Sequence, residues 1–478
     1  MSYISQSRTN RISAFRNFLR DLKYAIAGTE LDFTEIPLRR AIILLSIPMV
    51  LEMIMESVFA LADIFFVSRL GAGAVAAVGI TESMMTIIYS IGMGLGVGAT
   101  ALVARRTGEK DHEAASRTAM QAILTAMMVS IFFSLIGIFF SRDLLKMMGA
   151  SAETIEVGHG YTAIMLGGNV VVMLLFIINA VFRSSGDAAI SMRVLLIANL
   201  LNMVLDPLLI FGLGPIDGLG VKGAAIATNL GRGLAVLYQL WMLFGGRHRV
   251  HIARDMIVVE MKTIIQLVKL SLGAIGQNLI ATSSWIILVS VITSLGEEVV
   301  AGYTIAIRLI IFILLPAWGL ANAASTLVGQ NLGAGKPEVA ARAAMKIGVI
   351  NMILLGVISQ VFIFFPEVFI GFFIDPLAEP GVTMNGIQCL KLVSIGFTMY
   401  ALGMVMVQAI NGAGDTRTPI WINVVAFWMM EIPLAFLFTR VAGLAIDGVS
   451  YAIVISESMM ALIALVIFRR GKWKEVKV

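Results

Sequence analysis

Long apolar runs, broken by short polar stretches, recur along the whole chain. Runs of this length match the thickness of a bilayer crossed by a helix. They predict twelve spanning helices at approximately 41–68, 74–100, 118–140, 160–182, 190–212 and 222–245, then 264–293, 299–328, 343–365, 386–411, 420–440 and 446–468. Strand-like alternation is nowhere sustained and the runs are too long for barrel strands, so the expected class is an all-α polytopic membrane protein. Before the first span, residues 1–37 hold no apolar core beside a small-residue cleavage site, so no cleavable signal peptide is expected there. Their basic stretch instead places Ile12, Phe15, Phe18, Leu19 and Leu22 at helical spacing. That pattern predicts an amphipathic helix on the inner leaflet.

The spans repeat as a set. At an offset of 225 residues, GLGVGATALVARRTGEKDHEAASRTAM (94–120) aligns with GLANAASTLVGQNLGAGKPEVAARAAM (319–345), pairing Gly108 with Gly333, Glu113 with Glu338 and Arg117 with Arg342. Near an offset of 228, Gly186-Asp187 meets Gly414-Asp415. Six spans is an even number, so the two halves enter the membrane in the same direction and form parallel repeats, an arrangement that places a binding site between lobes. The expected organisation is a segment 1–37, an N-lobe 38–245, a linker 246–263, a C-lobe 264–468 and a basic tail 469–478.

Composition agrees with a membrane chain: 59% of the 478 residues are hydrophobic and 14% charged, against about 25% charged in soluble domains. Counted by connection, 27 of the 35 Lys and Arg fall on the side of the N-terminus and 5 on the other. That asymmetry predicts a multi-pass plasma (inner) membrane protein with both termini cytoplasmic. The pI near 9.3 then reflects a rim facing anionic lipid, with no need of nucleic acid. One cysteine, Cys389, excludes an internal disulfide. Neither a Cys/His metal cluster nor a nucleophile–base pair is evident, so neither an enzyme nor a cofactor protein is expected.

The informative residues are charges inside the apolar runs, where a charge is costly and usually functional. Glu52, Glu56 and Asp63 share the first span and fall on one helix face. Such a face should meet a polar cavity or partner helices. Asn202 and Asp206, four apart, are neighbours on one face of the fifth span. Counting along the spans at about 1.5 Å per residue, Asp63, Glu82, Asp206 and Thr228 lie at a similar depth, below the outer surface. Carboxylates, an amide and a hydroxyl at one level suit a hard cation or a shared proton. Asp206-Pro207 adds backbone irregularity there, because proline removes an N–H. Under the repeat Asp63 meets Leu288, Glu52 meets Gln277 and Glu56 meets Ala281, so the second half has lost that acidic face. Its own buried charges are Arg308, Glu431 and Glu457. The 29 methionines, Met173 among them, offer an adaptable apolar wall for varied ligands.

Three segments, IPMVLEMIMESVFALADIFFVSRLG, AIRLIIFILLPAWGLANAASTLVGQNLGAGKPEVA and INGAGDTRTP, together resemble the multidrug and toxic compound extrusion (MATE) family. The resemblance spans both halves, from about residue 38 to 470. It implies two six-helix lobes around a cavity open to one side, and drug export driven by inward movement of H⁺ or Na⁺. It further implies a cation-coupling site at Asp63, Asn202, Asp206 and Thr228, as in the DinF-like and archaeal branches, where a transported Na⁺ would be held. Pro48 stands at the first-span proline where bending has been proposed for those branches. The NorM-like branch places acids in spans seven and ten, whereas this chain has Tyr400 at the latter position and no acid in the former. The expected protein is therefore a monomeric antiporter, without cofactor, that exports amphipathic cationic drug-like molecules. Its substrate cavity would include Glu52, Glu56, Glu82, Met173 and Arg308, and its surroundings are membrane lipids. A lipid-carrier flippase of the related superfamily would show an arginine-rich groove, and a channel would lack the asymmetric acids.

Overall fold

The computed structural model describes residues 16–28, 31–213, 216–246, 248–374 and 376–478. Side chains of residues 60–64, 68, 72, 213 and 216 lie outside this description. Among the described residues the chain is helical almost throughout, its strands being a two-residue antiparallel pair, Gly212–Leu213 with Ile216–Asp217. Ten helices among the described residues are long and apolar enough to cross a membrane, and the pair Pro380–Ile395 and Phe397–Gly412, bent by 55°, makes up to eleven. The remaining expected span is also a helix, Val221–Phe244. It is less apolar because Lys222, Asn229, Arg232 and Gln239 interrupt it.

The chain forms two compact units: Met1–Met85, Arg106–Val259 and Gly333–Gly335 in the first, Thr86–Arg105, Glu260–Leu332 and Lys336–Val478 in the second. Among its described residues unit 1 begins with α1 (residues 16–27), Ile12 and Phe15 of the expected amphipathic helix lying outside the described residues, then α2 (Leu38–Val67) and α3 (Ala72–Gly108), whose second half belongs to unit 2. Then come α4 (His112–Met147), α5 (Ala152–Gly167), α6 (Asn169–Ser185), α7 (Ala188–Phe211) and α8 (Val221–Phe244). Several helices outrun the apolar stretch that announced them, because hydropathy marks only the lipid-matched turns. Helix α4, for example, starts six residues before the expected span, where Asp111 accepts the Ala114 N–H at 2.9 Å and satisfies a free donor of the first turn. The expected fourth span is two helices broken at Gly168. There the buried Asn169 amide donates to Ser130 O, Ser134 Oγ and Leu166 O at 3.2, 2.9 and 2.6 Å, pinning the break to α4.

Glycines set how closely unit 1's helices approach. A Cβ on Gly223 of α8 would stand 2.2 Å from Leu209 O of α7, and one on Gly231 would stand 3.2 Å from Ala198 O and 3.4 Å from Asn202 Cβ. Small residues let helix backbones approach closely, and α7 and α8 use two. The connection after α8 is folded onto the unit: Ile252 N–H donates to Leu243 O at 2.9 Å, His251 N–H to Ser116 Oγ at 3.0 Å, and Gln121 to Val258 O at 2.8 Å.

Unit 2 contains α9 (Met261–Thr293), α10 (Glu297–Gly333), α11 (Pro337–Phe364), the short α12 (Pro366–Gly371), α13 (Pro380–Ile395) and α14 (Phe397–Gly412). Next is a helix of mixed pitch: α15 (Thr418–Asn423), a π segment Val424–Glu431, α16 (Ile432–Phe436) and a second π segment Leu437–Val441. Pro433 lies within it and cannot donate to the ladder. Helix α17 (Ala445–Arg470) closes the unit. The basic tail folds back, with Trp473 stacked 4.6 Å from Phe468 and Arg105 donating to Val476 O at 2.8 Å.

Candidate functional site in unit 1

Helices α2, α7 and α8 build the site. Asn199, Asn202 and Asp206 lie along one face of α7, and Asn199 fastens that face to α2 by donating to Met55 O at 2.9 Å. The Asn202 and Asp206 side chains are 1% and 0% exposed. An amide oxygen would repel the carboxylate, so the nitrogen faces it: Asn202 donates to Asp206 Oδ2 at 2.7 Å and accepts the Thr228 backbone N–H at 3.2 Å. Gly231 permits that approach of α8. Three of the four residues expected for cation coupling are therefore brought together. The fourth, Asp63, is carried by α2 two turns beyond Glu56; its side chain lies outside the described residues.

This cluster holds a buried carboxylate, a side-chain amide and the Thr228 hydroxyl, with Pro207 beside them. A buried carboxylate is stable only when protonated or compensated. Oxygen donors from Asp206, Asn202 and Thr228 are the hard type that suit Na⁺, while the carboxylate alone suits H⁺.

Two ion pairs border it. Arg232, one turn beyond Thr228 on α8, donates to Glu56 at 3.1 Å and lies over the Phe59 ring at 4.7 Å. Glu52, 1% exposed, is held by Arg183 of α6 at 2.5 Å. Glu52 and Glu56 thus tie α2 to α6 and α8. Of the other residues expected at the cavity, Glu82 is half-buried on α3 and Met173 is 1% exposed, packed inside the unit. Pro48 is buried within a continuous α2, where it leaves the Leu44 carbonyl without a ladder donor.

In unit 2, Arg308 is exposed on α10, which corrects its reading as a buried charge. Glu431 is buried and accepts from Ser284 Oγ at 3.1 Å, and Glu457 is half-buried within Coulombic reach of it. Sequence reading missed Arg183 and the amide cluster of Gln277, Asn411 and Asn423. A signal for both existed: Glu52 aligns with Gln277 and Arg183 with Asn411, so charge is exchanged for amide at two positions together.

Comparison with known proteins places this architecture. The chain is 21% identical over 455 residues to the probable multidrug resistance protein NorM of Thermotoga maritima, covering 95% of this chain and 97% of that one. It is 27% identical to an FAD transporter of Shewanella oneidensis, covering 89% of this chain and 93% of the relative. A crystal structure of MATE in complex with MaL6 superposes with a TM-score of 0.88 at 25% identity, over 94% of this chain and all of that one. The outward-facing conformation of a multidrug resistance MATE family transporter gives 0.87 at 25% identity, over 94% and 99% of the two chains. The MatE family model matches residues 48–208 and 274–437, and the chain belongs to the MatE family of membrane transporters.

Proposed function

We propose that the protein is a multidrug efflux antiporter, exporting amphipathic cationic compounds in exchange for H⁺ or Na⁺ taken up at Asp63, Asn202, Asp206 and Thr228. The observation that carries this reading is the buried Asp206, oriented by Asn202 at 2.7 Å beside Thr228. A ligand shifts a conformational equilibrium only by its differential affinity for the two states. Ion and drug must therefore favour different states of the transporter, and a buried carboxylate whose charge changes on taking up H⁺ or Na⁺ supplies the ion's share. Bending of α2 at Pro48 would let Asp63 approach or leave the α7 residues. Glu56, Glu82 and Arg308 are the polar residues proposed to meet substrate. The protein functions as a monomer in the inner membrane, both termini cytoplasmic; a cysteine at Glu297 should then react with an impermeant external thiol reagent.

Drug efflux from proteoliposomes, with Na⁺ and pH gradients imposed separately, tests the proposal. Transport driven by one gradient, with stoichiometric ion exchange, supports it. Conductance without exchange would mean a channel, and lipid-carrier translocation without drug transport a flippase. A second reading has its own support: Arg308 is exposed on a spanning helix, and one relative is an FAD transporter. A substrate with an anionic group would use that arginine, and Arg308→Gln would then impair export of anionic but not of cationic compounds.

A further inference from the structure

Helix α1 lies outside the transport site and carries three distinct stripes. Asp21 and Ala25, one turn apart, face the protein: Ala25 is 1% exposed, and Asp21 accepts from Arg40 Nε at 3.0 Å. Leu19 and Ile26, two turns apart, form a second stripe that is exposed, at 46% and 43%. Arg16, Arg20 and Lys23 form a third stripe at helical spacing, all exposed.

The helix is held at a defined level. Arg40, its partner, lies in the first turn of the spanning helix α2, where a transmembrane helix meets the headgroups. After Gly28, whose φ is +88°, residues 31–37 strap α1 to unit 1. Asp32 Oδ1 accepts from the Thr34 N–H and hydroxyl at 2.8 and 2.7 Å, Lys110 pairs with Glu35 and Asp32, and Phe33 is buried against Gly186.

We propose that α1 is a docking element for anionic phospholipid: Leu19 and Ile26 enter the interfacial layer while Arg16, Arg20 and Lys23 bind headgroup phosphates. The level of Arg40 puts the exposed stripe where lipid is present. The adjoining positive stripe matches the charge of an anionic leaflet, and long basic side chains reach phosphates from an interfacial position. The strap links that contact to the connection before α4 through Lys110 and to the turn before α7 through Gly186.

The test uses the full-length protein with Cys389 replaced by Ala, a new cysteine at Leu19 carrying an environment-sensitive fluorophore, and nanodiscs made with or without phosphatidylglycerol. The expected result is blue-shifted emission, quenched by doxyl-labelled lipid, more strongly in the anionic discs. Replacing Arg16, Arg20 and Lys23 by Gln should remove that preference, by roughly fivefold per basic side chain lost. Equal quenching in both lipids overturns the anionic assignment. Water-like emission in both discs overturns lipid docking altogether. A blue shift without doxyl quenching also overturns it, since the stripe would then lie against protein, whether another part of this chain or a second copy.

Discussion

Arg183 donates to Glu52 at 2.5 Å, 131 residues away in sequence, and this buried ion pair has a neutral counterpart in the second repeat. Gln277 and Asn411, the aligned residues, exchange two amide hydrogen bonds of 3.0 Å each. The same junction between a first and a fourth repeat helix is thus charged in unit 1 and uncharged in unit 2. A buried ion pair broken on one side leaves an uncompensated charge, at a cost of about 3–5 kcal/mol, whereas replacing both partners can be neutral. Glu52→Gln is therefore expected to lower thermal stability in detergent sharply, and Glu52→Gln with Arg183→Asn to recover most of the loss. A double variant no more stable than the single would refute the equivalence of the two junctions.

Coupling is expected to depend on unit 1 alone. Asp206→Asn should remove the ion dependence of efflux in a folded, inserted protein, whereas Tyr400→Phe should leave it intact. Asp63→Asn should match Asp206→Asn, and the double variant should be scarcely worse than either, because residues acting as one site are non-additive. Additive losses in purified proteins would mean two separate roles.

Thr228 separates the two ions. Asn202 accepts the backbone N–H of Thr228, so Thr228→Val keeps the amide's orientation and removes only the hydroxyl. With Na⁺ as the coupling ion, the loss of one oxygen ligand should raise the Na⁺ concentration for half-maximal transport by about tenfold, the scale of one hydrogen-bond-sized contribution. With H⁺ as the coupling ion, the pH profile should be essentially unchanged.

The strap between α1 and α2 carries a pH dependence of known sign. Burial raises the Asp32 pKa, but the two hydrogen bonds from Thr34 and the charges of Lys110 and Arg249 outweigh it and hold the carboxyl below its ordinary value. Its contribution is then complete above the unfolded value of about 3.9 and is lost as pH falls through the lower folded one. Hydrogen exchange in residues 31–37, corrected for intrinsic rates, should be constant between about pH 5 and 8. Asp32→Asn should accelerate it across that window. A wild-type protein that loses protection near neutral pH would show that another group holds the strap.

Local order along the chain was enough to read several features. Spanning helices follow from uninterrupted apolar runs, since a backbone in lipid must satisfy its own hydrogen bonds. The repeat follows from residue identity at offsets of 225 and 228, and its parallel sense from the even number of spans in each half. The adjacency of Asn202 and Asp206 follows from the helical period alone, which is why that pair was legible without a fold. Packing decided the rest. Nothing local to Arg183, counted by sequence among the charges of a connection, says that it will reach Glu52. Nothing local to Arg308 says that its face of α10 will stay open. Thr228 meets Asn202 because Gly223 and Gly231 let α8 approach α7, and the Asn202 amide takes its direction from the carboxylate on one side and a backbone N–H on the other. Those relationships are set by the distance and rotation between helices, to which hydropathy and periodicity carry no information.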